Sequence, residues 1–102
     1  MSRLLEDGTC AGAVCCGCDL IAVGAIRAIQ ERGLAVPDNL AVTGYDDIDM
    51  AEYLCVPLTT MRQPKDEMGR EGVRLLLEQI RDPEHEPRQV ILPSTLVVRG
   101  SA

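Results

Sequence analysis

At 102 residues the chain fits one small domain, and its 46% apolar content, six prolines and nine glycines describe a globular protein with no polar low-complexity tract of the disordered kind. A formal net charge of −6, without any basic run of five or more residues, argues against direct contact with a polyanion, because nucleic-acid affinity draws on Lys and Arg displacing counterions. The longest apolar stretches are interrupted by Asp19, Arg27 or Asp46 well before the roughly 18 residues a membrane helix needs, which excludes a helical span.

The opening residues Met1 to Gly8 lack the apolar core and small-residue cleavage site of a secretion signal, so the cytoplasm is the expected location. Ser2 to Glu6 reads as the tail of a helix, with Asp7-Gly8 as its C-cap, since glycine takes the left-handed conformation at little cost. Ala11 to Cys16 is short, apolar and bounded by glycines, the pattern of a buried parallel strand. Gly17-Cys18-Asp19 then turns into a helix from Leu20 to about Arg32, with Asp19 as the expected N-cap and Gly33 as the stop. Its sheet-facing side is expected to carry Ile21, Gly24 or Ala25, Ala28 and Ile29, with Val23 and Ile26 able to cover a second surface.

Val36-Pro37-Asp38-Asn39 is turn chemistry, and Leu40 to Tyr45 follows as a second buried strand. A strand-helix-strand unit of this kind calls for a right-handed crossover between parallel strands, and ligands of such sheets gather at the strands' carboxyl ends. Here those ends are Gly17-Cys18-Asp19 and Tyr45-Asp46-Asp47, so two polar segments are expected to converge on one rim. A short helical stretch at about Asp49 to Cys55 and a third strand at Leu58 to Arg62 come next. Asp66 to Arg81 has apolar residues at helical spacing between Pro64 and Pro83. Asp82 to Arg88 is an expected exposed loop, and Val90 to Val98 reads as two short strands broken at Pro93.

Tyr45 and Tyr53 are the only aromatic residues, so a pocket built by ring stacking cannot be completed from this chain alone. The five cysteines, at 10, 15, 16, 18 and 55, are an odd number that fits reduced thiols. A zinc cluster of Cys15, Cys16 and Cys18 with Cys10 is not favoured, because alternate residues of a strand face opposite ways and the sulfurs do not converge. No metal or cofactor is therefore expected. Nucleotide enzymes are also disfavoured: Gly17-Cys18-Asp19 is no G-x-G-x-x-G loop, no Walker lysine follows, and His85 has no evident partner for a cysteine nucleophile.

From Ala13 to Gly100 the chain resembles the LacI/GalR family of transcriptional regulators. Members carry Asn-Asp before a helix of the form Leu-x-Ala-x-Gly-Ala-x-Arg-Ala, and this chain reads Cys18-Asp19-Leu20-Ile21-Ala22-Val23-Gly24-Ala25-Ile26-Arg27-Ala28, departing at the Asn. Gly33-Leu34-Ala35-Val36-Pro37, Val42-Thr43-Gly44-Tyr45-Asp46-Asp47, Pro57-Leu58-Thr59-Thr60 with Gln63-Pro64, Met68-Gly69 and Leu96-Val97-Val98-Arg99-Gly100-Ser101 continue the series.

The resemblance implies an α/β, three-layer, parallel-sheet fragment of the periplasmic-binding-protein-like type I fold. It would comprise mostly the C-terminal lobe plus one helix of the N-terminal lobe, since regulators of this kind need more than twice the length. By that comparison residues 11–63 form the strand-helix-strand core of the C-terminal lobe. Residues 65–81 form the helix that crosses to the other lobe, 88–100 the terminal strands, and the DNA-binding headpiece is absent. Leu75, Leu76, Leu77 and Ile80 should then be under-buried or find a partner chain. The family binds its effector through the residue before the helix and the first Asp of Gly-Tyr-Asp-Asp, here Cys18 and Asp46, with Gln63 as a third candidate near the lobe crossover. A carboxylate can accept from two neighbouring hydroxyls, which suits a sugar or nucleoside. Cys18 cannot replace an amide's paired hydrogen bonds, so the ligand class need not be a simple hexose.

The implied partners are a small-molecule effector, a second copy in a homodimer, and DNA only through the headpiece. A periplasmic sugar-binding receptor shares the fold, and a truncated product without regulatory output would read the same; both stay open on the sequence.

Overall fold

A computed structural model of the chain describes residues 1–6 and 12–102. The elements run α1 (Ser2–Glu6), β1 (Ala13–Cys15), α2 (Asp19–Gln30), β2 (Ala41–Thr43), a 3-10 turn (Asp49–Glu52), β3 (Thr60–Arg62), α3 (Lys65–Arg81) and β4 (Thr95–Val97). The Asp7-Gly8 cap and Cys10 lie outside the described residues.

The chain divides into two compact units, residues 1–62 with 95–102, and residues 63–94. In the first, β1 and β2 pair in parallel with Val14 opposite Val42. Single parallel bridges, Thr43 to Thr59 and Asp46 to Arg62, carry the pairing on to the β3 segment, and β4 closes against β3 antiparallel. The parallel strand-helix-strand unit expected of the sequence is present, and the chain has the periplasmic-binding-protein-like fold.

α2 buries Ala22, Ala25, Ile26 and Ile29, the last two flanking one turn, against Val42, Leu40, Val36, Ala51 and Leu58. Of the expected stripe, Ala25 and Ile29 are buried with Ile26 beside them and Ala28 is half-buried, but Ile21 is 60% exposed and Ala22 takes the inward place. Asp19, fully buried, lies on the same face as Ala22 and Ile26, three and seven residues further on. Gly33, at φ 72, ends the run beyond α2, its N–H donating to the Gln30 carbonyl at 2.9 Å. The Val36–Pro37 peptide is cis.

The C-terminus locks into this unit. Ser101, with no exposure, accepts from the Thr59 N–H at 2.9 Å and donates to the Val42 carbonyl at 2.6 Å through its hydroxyl, while its carbonyl accepts from the Val42 N–H at 2.8 Å.

In the second unit α3 has no buried residue; Leu76, Leu77 and Ile80 are 60%, 46% and 65% exposed, as expected of a helix under-buried within this chain, while Leu75 is half-buried. Arg74 bridges Glu71 and Glu78, and Arg88 also reaches Glu78. Residues 82–88 are exposed throughout, as the loop reading predicts. Of the two expected tail strands only β4 forms: residues 90–94 pair with nothing in a ladder, because Pro93 lacks the donor a strand needs and Thr95–Val97 takes the available edge of β3.

Candidate functional site

The carboxyl ends of β1, β2 and β3 lie side by side, tied by backbone hydrogen bonds. The Asp19 N–H donates to the Tyr45 carbonyl at 2.9 Å, joining the start of α2 to the end of β2. The Asp46 N–H donates to the Met61 carbonyl at 3.0 Å, joining that segment to β3. The rim expected at Gly17-Cys18-Asp19 and Tyr45-Asp46-Asp47 is therefore one continuous edge within the first unit.

Asp46 is half-buried there, with its backbone at φ 114. A non-glycine residue in that region costs about 1–3 kcal/mol and persists only where its surroundings impose it. The neighbour Asp47 is also left-handed, at φ 50, and its carboxylate accepts from the Arg62 Nε at 2.5 Å while the Arg99 guanidinium lies 2.8 Å from its other oxygen. Burial alone would push the Asp47 carboxyl up, but the hydrogen bonds and charges of Arg62 and Arg99 outweigh it and hold it below the usual carboxylate range. Asp47 and Arg62 thus brace the loop, and the side chain of Asp47 is only 7% exposed.

Cys18, half-buried, is the N-cap of α2, with extended backbone at φ −157 and ψ 167 and no side-chain capping bond. The capping role expected of Asp19 is corrected by the structure: Asp19 is the first helical residue, and its carboxylate reaches outward from the helix. It accepts from the Thr60 hydroxyl through Oδ1 at 2.5 Å and from the Ile48 N–H through Oδ2 at 2.9 Å. Both partners are distant in sequence, so no local spacing signals the role. Gly44 makes room for it, since a Cβ there would collide with Asp19 Oδ1 and come within 2.9 Å of Leu58. Cys18 and Asp46 lie on one edge of the first unit, and Gln63, which directly follows β3, belongs to the second.

Among the described residues no group of three His, Cys, Asp or Glu side chains is arranged to hold a metal ion. Nor is any helix long and apolar enough to cross a membrane.

The model of the periplasmic-binding-protein-like domain matches residues 3–102. The ribose operon repressor of Haemophilus influenzae is 46% identical over 101 residues, covering 99% of this chain and 30% of that protein. The HTH-type transcriptional repressor PurR of Vibrio campbellii is 45% identical over 89 residues, covering 87% of this chain and 27% of that protein. Among solved structures, the transcriptional regulator CelR in complex with cellobiose superposes with a TM-score of 0.91 at 38% identity, over 99% of this chain and 31% of that one. A LacI family transcriptional regulator from Enterococcus faecium with bound ribose gives 0.83 at 37% identity, over 98% of this chain and 37% of that one. The chain thus spans about a third of the length of the relatives it matches. With its parallel rim, its spaced motifs and these matches all agreeing, the chain belongs to the periplasmic-binding-protein-like family, in the form carried by LacI-type transcriptional regulators.

Proposed function

We propose that these residues are the effector-binding and dimerisation part of a LacI-type transcriptional regulator that acts in the cytoplasm, and that the effector is a sugar or nucleoside-like small molecule. In this reading residues 11–63 supply the C-terminal-lobe wall of a cleft, residues 65–81 cross to a second lobe, and residues 88–100 return. DNA contact falls to a headpiece outside these residues, and the role is binding rather than catalysis.

The observation that carries the reading is Asp46. A carboxylate is held on a costly backbone conformation at the edge where three parallel strands end, beside the N-terminus of α2. Backbone strain kept at a strand rim marks Asp46 as a candidate preorganised ligand contact. In this proposal Asp46 accepts from ligand hydroxyls, Cys18 contributes a weak S–H donor on the same edge, and Gln63 is a third candidate contact. The cellobiose and ribose complexes among the structural neighbours support a polyol ligand.

The test is a thermal-shift screen of sugars and nucleosides on the full-length protein, with Asp46→Ala beside the wild type. A true effector at a hundredfold excess over its Kd stabilises by about 2.7 kcal/mol, and that rise is absent in Asp46→Ala. A folded wild-type protein that no ligand shifts overturns the proposal.

A further inference from the structure

Asp46 and Asp47 are consecutive and both left-handed, at φ 114 and φ 50, and the function proposed above uses only the first. Glycine takes such backbone freely, whereas an aspartate at φ 114 needs its surroundings to hold it there. Holding a dipeptide takes an anchor on each side of it. Upstream, the Gly44 N–H donates to the Thr59 carbonyl at 2.9 Å and the Asp46 N–H to the Met61 carbonyl at 3.0 Å. Downstream, the Ile48 N–H donates to Asp19 Oδ2 at 2.9 Å. Between these anchors lie the soft torsions of both aspartates, so the peptide joining them can still rotate with the two ends in place.

The Asp47 side chain removes that freedom. It is 7% exposed and lies between two guanidiniums. Arg62 Nε donates to Oδ2 at 2.5 Å, from a side chain that is itself 59% exposed and therefore screened by solvent. Arg99 is only 14% exposed; its Nη1 stands 2.8 Å from Asp47 Oδ1 and donates to the Leu58 carbonyl at 2.9 Å, and its own N–H donates to the Thr59 hydroxyl at 2.8 Å. The Thr59 N–H is in turn fixed to the Ser101 hydroxyl, so Arg99 sits on a segment locked to the sheet. Oδ1 is buried without a well-aligned hydrogen bond, so Arg99 holds it chiefly by charge. A buried carboxylate oxygen deprived of its counter-charge turns towards water, and here it would take the Asp47 backbone with it.

We propose that Arg99 is a positioning residue for the effector: acting through Asp47, it keeps the Asp46–Asp47 dipeptide left-handed and so presents the Asp46 carboxylate on the rim. This rests on the reading of Asp46 as an effector contact, and it assigns Arg99 no ligand contact of its own. Without Arg99 the dipeptide relaxes. An effector must then restore the strained backbone as it binds, which weakens binding by about tenfold or more.

The experiment is crystallography of the full-length protein without ligand, comparing wild type, Arg99→Met and Arg99→Lys. Positive φ at both aspartates is expected in the wild type and in Arg99→Lys, which keeps the charge, and is lost at one or both positions in Arg99→Met. Should Arg99→Met not fold, Asp47→Asn takes its place: asparagine accepts left-handed backbone as readily as aspartate, so a change there reports the lost charge. Positive φ kept at both positions in whichever of these two variants folds, or lost in Arg99→Lys as well, overturns the proposal. A second readout is titration with D-ribose as the probe. Its Kd rises about tenfold or more in Arg99→Met, returns towards the wild-type value in Arg99→Lys and is unchanged in the core variant Ile29→Ala. No rise in Arg99→Met, or an equal rise in Ile29→Ala, overturns the positioning role. A wild-type protein that binds neither ribose nor any other compound of the thermal-shift screen fails the effector reading alone, and the φ values then decide for or against Arg99.

Discussion

At the scale of single residues, two aspartates, each four positions beyond a strand end, divide the work of the rim. Asp19 holds it together: its buried carboxylate takes the Thr60 hydroxyl and the Ile48 N–H, and truncation would leave both donors without this acceptor. Each buried donor left unpaired costs about 1–3 kcal/mol, so Asp19→Ala should lower unfolding stability by roughly 2–5 kcal/mol in a urea titration. A change below about 1 kcal/mol would mean the carboxylate is not the pin described. Asp47 makes the rim acid-sensitive. Its folded carboxyl lies below the ordinary range, so the stability it contributes is present above the unfolded value of about 3.9 and is lost as pH falls through the folded value. Denaturation midpoints followed from neutral pH into acid should show this loss in the wild type and not in Asp47→Asn.

At the scale of elements, α2 and α3 are both amphipathic, yet only α2 has found its partner within these residues. Ile29 is fully buried among the core side chains, whereas Val73 and Leu76 are 59% and 60% exposed. In this 102-residue chain Ile29→Ala should cost about 2–5 kcal/mol, while serine at 73 and 76 should change stability by no more than about 0.5 kcal/mol each. The measurement is again the unfolding midpoint. In the full-length protein the same serines should become costly, because the proposed second lobe covers that face.

The two helices were also unequally legible. The period of α3 appears directly as residues 65–81, but apolar positions alone place Ile21 on the inner face of α2, where it is 60% exposed. The inner face also holds a buried aspartate at the first helical position, and hydropathy patterns count such a residue as solvent-facing. Likewise Cys18 caps α2 by backbone shape only, because Asp19, the better capping side chain, is engaged across the sheet.

At the scale of the whole molecule, the net charge of −6 disfavours contact with a polyanion, and exposed apolar residues of α2 such as Leu20 and Ile21 are what the proposed homodimer would cover. We expect the full-length protein to sediment as a dimer at tens of micromolar; a monomer at that concentration would remove dimerisation from the proposal.

The family, the parallel strand-helix-strand unit and the convergence of the Cys18 and Asp46 segments on one edge are legible in consecutive residues, because strand period, turn residues and motif spacing are local properties. Only the tertiary structure decided what Asp19, Gly44 and Ser101 do. Their partners, Thr60, Leu58 and Val42 among them, lie between 14 and 59 positions away, and no local pattern specifies which distant donor a buried oxygen will meet or which side chain needs a missing Cβ to pass.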